Sequence, residues 1–384
     1  MRLAIIVREF RFLMRTPLMW FCMIFAPLLC LVIFTTMMDE GLPQKLPLGI
    51  VDLDNTATTR NLARNLSAFQ MTDLKTHYNS VREAREAMQD GDIYGFYYIP
   101  RGTTRKANRQ EQPKVSFYMN YSFIVAGSLL YKDQRMMSEL ASGAAVRQVF
   151  FAKGATMDQV MGYVQPIVID AHPINNPWLN YNIYLSNCLI PGVFGLFIFM
   201  VTVYSLGQEV KFSRGRELMK TAHGNIMHAI FGKMLPQLLV WLIMGCLCIW
   251  WLYGHLHFPC LGGVWRMLII MSLFVFASQC MGLIMFAVLP TPRLSLSFAS
   301  LWGVMSFSIS GLSYPVIAMH PMLQSLAWLF PLRHYALLYF NTALNGYSIM
   351  NDWPQVAALL GFGAVGIMLL PMIKKALLYY EYEL

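Results

Sequence analysis

The residues of this chain whose types could do chemistry are few, and their spacing suits catalysis badly. Gly232-Lys233 is the nearest approach to a phosphate-cradling loop. Met234 follows it where Ser or Thr must reach a metal, and Met227 holds the place of the first glycine. This chain cannot bind ATP by that route, so any ATP must come from a partner. His255-x-His257 could share a strand face and ligate a metal, but no carboxylate accompanies the pair, and two interfacial imidazoles serve as polar anchors. Cys246-x-Cys248 lies inside an apolar run, and the seven cysteines form neither a CxxC pair nor an even framework, so they read as small core residues. HExxH and GxSxG are both absent. The most charged piece of the apolar part is GQEVKFSRGRELMKTAHGNIMHAIFGK at 207–233. It reads as a short amphipathic helix bracketed by Gly215 and Gly224, lying on headgroups or against a partner.

The elements that must position these groups are set by composition. Of 384 residues 57 % are hydrophobic and 13 % charged, with mean hydropathy +0.47, more apolar surface than one soluble core can bury. That excludes a disordered tail, a collagen-like rod and a disulfide scaffold, and leaves a polytopic membrane protein. The net charge is +9, yet residues 39–180 hold 15 Lys/Arg against 14 Asp/Glu. The excess base therefore flanks apolar runs, as cytoplasmic loops do, and is not gathered on a soluble face for nucleic acid.

About 20 apolar residues cross a bilayer as a helix. Six segments qualify, at 18–38, 183–206, 231–253, 265–289, 294–314 and 355–373. Arg2, Arg8, Arg11 and Arg15 put the N-terminus inside, and an even number of crossings returns the C-terminus there, leaving only Arg266 and Arg333 of the flanking bases outside. Residues 322–341 are apolar too, but Pro321, Pro331 and the central Arg333-His334 predict a segment that dips in and returns on the outer side. The first span reads as a retained signal anchor, since TTMMDEG offers no small-x-small cleavage site. An amphipathic helix at 2–15 precedes it, with Leu3, Ile6, Val7, Phe10 and Leu13-Met14 toward lipid and Arg8, Arg11 and Arg15 on anionic headgroups.

The fold class expected is an α-helical polytopic membrane protein of six transmembrane helices with an inserted extracytoplasmic α/β domain. Residues 1–38 hold the amphipathic helix and first span, 39–180 the α/β domain, and 181–384 the remaining spans. In the domain, strands are predicted at 48–54, 73–78, 93–100, 114–120 and 163–169. Helices are predicted at 56–69, 81–89 (capped by Ser80, with Glu83 at the capping-box position) and 123–151. The alternation implies a mixed or parallel sheet. Within the spans ionisable groups are nearly absent, which argues against a proton relay. The serines of the fifth span read first as helix-packing residues. The rival reading is that Ser306 and Ser310, with Phe194 and Phe197, line a cargo route.

Four blocks, in order, resemble the membrane-spanning subunit of ABC-2 type ATP-binding cassette transporters, in the branch with a large outer domain between spans one and two. They are LPLGIVDLDNTATTRNLARNL, NPWLNYNIYLSNCLIPGVF, the segment from Glu209 through Arg214-Gly215-Arg216-Glu217-Leu218 to Gly232-Lys233-Met234-Leu235-Pro236, and GLSYPVIAMHPMLQSLAWLFPLRHY. Arg216 and Ala222 depart from the family's Thr and Pro, and His320 replaces a Pro.

The resemblance implies a permease that exports a hydrophobic or amphipathic molecule (drug, lipid or envelope precursor) across the bacterial inner membrane. It implies a second copy or paralogue, and a cytoplasmic ATPase partner that binds ATP and Mg, with no cofactor and no catalysis in this chain. It leaves room for a periplasmic adaptor. By carry-over Glu209, Arg214, Gly215 and Glu217 lie on or beside the helix that docks into the ATPase, and 315–341, with Gly311, Pro315, Pro331 and Tyr335, forms the outer re-entrant gate. Composition alone also permits a sensor or scaffold whose α/β domain binds a ligand without transport. An intramembrane enzyme lacks paired acids, a nucleophile with its base, or metal ligands.

Overall fold

The computed structural model describes residues 2–109, 111–165, 167 and 170–380. It holds two compact units, one of Met1–Gly41 with Pro173–Leu384 and the other of Leu42–His172.

The first unit is helical. Its N-terminal helix, Arg2–Arg15, carries Ile5, Glu9 and Leu13 one turn apart and buries all three, while Leu3, Val7, Phe10 and Met14 stay exposed. Four helices are long and apolar enough to cross a membrane: Pro17–Met37, Tyr181–Lys211, Ile226–His255 and Val264–Val288. The pair Ile349–Met368 and Leu370–Tyr379, bent by 40°, makes a fifth if counted as one span. The six expected spans are thus not all met among the described residues. The sequence's fifth, over 294–314, is the 18-residue helix Pro292–Ile309, whose serines and Arg293 dilute its apolar content. The sixth breaks because Pro371 cannot donate a backbone N–H. The 16-residue piece before it spans about 24 Å, short of a ~30 Å hydrocarbon core.

Residues 322–341 do not make a crossing helix. They divide into Pro321–Ala327 and Pro331–Tyr339, with a π-helical turn at Phe340–Leu344. Pro331 sets the break, and the second piece buries Leu332, Tyr335, Ala336 and Tyr339. His334, also buried, is fully engaged: its ring nitrogens pair with the Trp328 carbonyl at 2.9 Å and Gln355 Oε1 at 2.5 Å. Glycines let the helices close on one another. A Cβ on Gly192 would stand 2.3 Å from Phe307, and one on Gly303 2.3 Å from Leu196. The Tyr181–Lys211 and Pro292–Ile309 helices therefore meet along most of their length.

The second unit is α/β. Its sheet runs β2-β1-β3-β4, with β1 (Leu46–Asp52), β2 (Thr72–His77), β3 (Gly95–Ile99) and β4 (Ser116–Met119). β1 pairs parallel with β2 and β3, and β4 returns antiparallel. Helices Ala57–Ser67 and Val81–Asp90 supply the crossovers, started by Thr56 and Ser80, whose hydroxyls accept the N–H groups of Thr59 and Glu83. The long helix Ile124–Ala152 packs Leu130 and Met137 on Leu48, Ile50 and Tyr97. Asp54, just past β1, accepts from Gly102 N–H, Thr104 N–H and the Thr104 hydroxyl. These bonds, the hydroxyl's foremost, hold its carboxyl below the ordinary range.

The strand expected at 163–169 is not met among the described residues. Tyr163 and Val164 end the helix Met157–Val164, which starts where Gln159 Oε1 accepts the Thr156 N–H at 3.1 Å. Pro166, Val168 and Ile169 lie outside the described residues.

Candidate functional site

At one end of the helical unit four charges meet, three of them buried and the fourth, Arg8, part-exposed. Lys233, in the Ile226–Ile249 helix, is 2 % exposed and donates from Nζ to Glu9 Oε2 at 2.7 Å and to Glu209 Oε1 at 2.9 Å. Arg8 Nη2 donates to both Glu209 oxygens, at 3.0 and 2.8 Å. The second oxygen of Glu9 accepts from Ser205 Oγ and Gln237 Nε2, each at 2.8 Å. Two cations balance two anions, and the carboxylates accept six bonds in all, the condition under which buried charge is tolerated. The group joins the N-terminal helix to the ends of the second and third spans.

One expectation is corrected here. Arg8 does not rest on headgroups, because Glu209 draws its guanidinium inward. Glu209 lies beside the short helix Gly215–Thr221 and not on it, the one acid of its own span, with an 8 % exposed side chain. The near-absence of ionisable groups from the spans has an exception in Lys233, which belongs to the third. Arg8, Glu9 and Lys233 were missed as site residues.

The charged segment at 207–233 is mostly the ends of two long helices, with only Gly215–Thr221 as a helix of its own. That short helix buries Gly215, Leu218 and Met219 and exposes Arg216, Glu217 and Lys220. Arg214 precedes it, exposed, its guanidinium 5.4 Å from the Phe212 ring centroid. The Glu217 carboxylate has no partner among the described residues. The C-terminal helix Leu370–Tyr379 forms the floor. Arg216 Nε donates to the Leu378 carbonyl at 3.3 Å, and Lys374 Nζ to the Gly224 carbonyl at 2.9 Å. Gly215 is required by the contact, since a Cβ there would fall 2.2 Å from the Leu377 carbonyl oxygen, a backbone atom that cannot swing away.

A measurement follows from that spacing. Gly215→Ala should lower the stability of the purified chain by about 1–3 kcal/mol, the range for overpacking. Gly361→Ala, in a helix with nothing within 4 Å of the new methyl, should be neutral or stabilising. Equal thermal unfolding of the two variants would remove the Leu377 contact as the reason for glycine.

Residues 17–370 match the family model described as ABC-2 family transporter protein. The chain belongs to the ABC-2 transporter family. It is a multi-pass permease of an ABC transporter, and the family generally implies a separate ATP-binding subunit. A search of curated proteins finds no match to it.

The permease places the other sequence-expected residues differently from one another. Phe194 is 1 % exposed and packs at 6.3 Å from Trp241, so within this chain it is core and not path. Phe197, three residues on, is half-buried. Ser306 and Ser310 turn their hydroxyls back onto the Gly303 and Phe307 carbonyls of their own helix, which is the packing arrangement. Gly311 ends that region at φ +95°, and Pro315 is exposed before a single 3₁₀ turn at Val316–Ala318. Pro331 and Tyr335 are buried, with the Tyr335 ring 5.1 Å from Phe274. Gly311 and Pro315 thus lie in one irregular turn, and Tyr335 is in the helical core, not at an opening. The His255 ring lies 4.7 Å from the Trp251 ring, tilted 45° to it.

Proposed function

We propose that the permease is the membrane half of an exporter, with six crossings, both termini in the cytoplasm and the α/β unit outside. The reading rests most on the helix Gly215–Thr221. It joins the second and third spans, its apolar side is fixed to the C-terminal helix, and its other side offers Arg214, Glu217 and Lys220 to water. A short rigid helix with a free charged face suits a docking groove on an ATPase. Because the Arg8–Glu209–Lys233–Glu9 group ties the same span ends to the N-terminal helix, a push on the short helix moves these elements as one body. Separating them would strip charges of their partners.

Two copies, or one copy and a paralogue, enclose the cargo path. The side of the Pro292–Ile309 helix turned away from its own chain carries Leu301 and Val304, each nearly 60 % exposed, flanked by exposed Ser297 and Ser308. That face, with Phe197, suits an apolar or amphipathic cargo better than Phe194, Ser306 and Ser310 do. ATP turnover by the assembled pair, stimulated by cargo, separates transport from a sensor or scaffold role.

Topology is tested by single cysteines in a cysteine-free background. Lys220→Cys and Lys375→Cys, both at exposed positions, should be shielded from an impermeant thiol reagent in intact cells, while Asn108→Cys should label. Labelling at 375 would break the even number of crossings.

A further inference from the structure

The sheet of the α/β unit has two edges, and the sequence treats them differently. β2 carries Asp73, Lys75 and His77 at alternate positions, the kind of charge that keeps a further strand from adding to an edge. β4, at the other edge, reads Ser-Phe-Tyr-Met, and from Val115 to Tyr131 there is no Asp, Glu, Lys or Arg. Asn120 N–H donates to the Tyr94 carbonyl at 2.8 Å and Tyr118 lies opposite Phe96, so Ser116 and Tyr118 turn their N–H and C=O groups to β3. Phe117 and Met119 turn theirs outward, where no strand pairs with them among the described residues.

Beside this open edge the surface is aromatic and apolar. Tyr118, Tyr121, Phe123, Ile124 and Val125 are each 42–73 % exposed. Their rings are already fixed: Tyr118 stacks on Phe96 with centroids 4.7 Å apart, and Phe123 meets Tyr94 edge-on at 5.4 Å. Ordering them for a partner therefore costs little. With Tyr131, whose ring is 5.6 Å from Phe117, they offer roughly 500–600 Å² to water, taking about 150–250 Å² for a whole large side chain. Doubled across a two-fold axis, that reaches the roughly 1,000 Å² at which a specific pair stands apart from a chance contact.

We infer that β4 pairs antiparallel with β4 of a second copy of this chain, joining the two four-stranded sheets across a two-fold axis near Tyr118. Such an axis sets residues against their own counterparts, so any charge beside it would face its own sign, and this stretch is the uncharged one. The antiparallel run then brings Tyr121 and Phe123 of each copy beside residues 111–115 of the other. Lys114, exposed and without an ion pair among the described residues, meets the Tyr121 ring there. The inference rests on the two-copy reading above and gives it a contact between the α/β units.

The test uses the full chain in membranes, with a photoreactive benzoylphenylalanine in place of Tyr118. Irradiation should give a dimer on a denaturing gel, and mass spectrometry should find the adduct within residues 111–121 of the second copy. The same probe at exposed Thr76, on β2, should give none. With the probe moved to Tyr121, Tyr118→Lys in both copies should lower the linked fraction by about 5–10-fold, through a lost ring contact and a new like-charge pair. Co-expressing Tyr118→Lys chains with Tyr118→Glu chains should restore it, which a misfolded variant would not do. An adduct with any other protein would overturn the self-pairing and give the edge to a strand of a different partner. Equal linking from Thr76, or a Tyr118 probe that links to no protein, would overturn it as well. Light scattering of the purified chain separates the two levels. A monomer sinks the two-copy reading and this contact with it, while a dimer without the adduct sinks the contact alone.

Discussion

Lys233→Met should cost the purified permease about 3–5 kcal/mol of stability, the range for removing one partner of a buried ion pair. The substitution preserves volume but leaves Glu9 and Glu209 facing each other across the space the ammonium filled, with only Arg8 to balance them. Ser205 and Gln237 would still donate to Glu9, yet hydrogen bonds do not cancel a buried net charge. Glu9→Gln added to Lys233→Met should recover most of the loss, because it removes the second charge and leaves the Arg8–Glu209 pair neutral in itself. Thermal unfolding of the detergent-solubilised variants decides it. A single variant within about 0.5 kcal/mol of wild type, the ordinary range for surface changes, would mean that water reaches the cluster and that it holds nothing together.

Glu217→Ala should act at the opposite place, on assembly and not on the folded chain. The carboxylate is exposed and unpartnered, so the isolated permease should unfold as wild type does, within about 0–1 kcal/mol. If the short helix seats in an ATPase groove, the lost partner of a basic residue there should weaken the complex by about 2–5 kcal/mol. Co-purification of the ATPase with wild-type and variant permease measures the first quantity, and cargo-stimulated ATP turnover follows its consequence. A variant that retains the ATPase and its stimulation at wild-type levels would remove Glu217 from coupling and leave the helix as an interfacial one. Together with Lys233→Met this separates the exposed side of the segment from the buried side.

Much of the fold could be read from local signals. Ser80 before an apolar-periodic run, the aromatic run ending at Pro100 and the glycines at 215 and 224 each fixed an element near its observed bounds, because caps, strand composition and turn residues act within a few positions. The broken last helix was legible too, in Pro371, but hydropathy averaged over a window hides one proline. The charged cluster was half legible. Glu9 is the lone acid of an arginine-rich helix and sits on its apolar stripe between Ile5 and Leu13, which is the mark of a buried acid awaiting a cation. That the cation is Lys233 could not be read, because nothing local joins residues 224 positions apart. Phe194 shows the limit from the apolar side: a phenylalanine in a span has the same sequence signature in a core and in a path, and only Trp241 beside it decides.

The separation of Glu9 from Lys233 also orders the birth of the protein. At about 5–20 residues per second, the nascent chain carries Glu9 for some 10–45 s before the ribosome has made the lysine it will bind. Through that interval the acid has Arg8 beside it but no ammonium, so the amphipathic helix must wait at the water boundary and cannot sink into its final seat. Only after the hairpin of the second and third spans has inserted do Glu209 and Lys233 arrive together, and the two ends of the electroneutral group enter the low-dielectric layer as a set. Docking of the first fourteen-residue helix is thereby made a late step of insertion, although it is translated first.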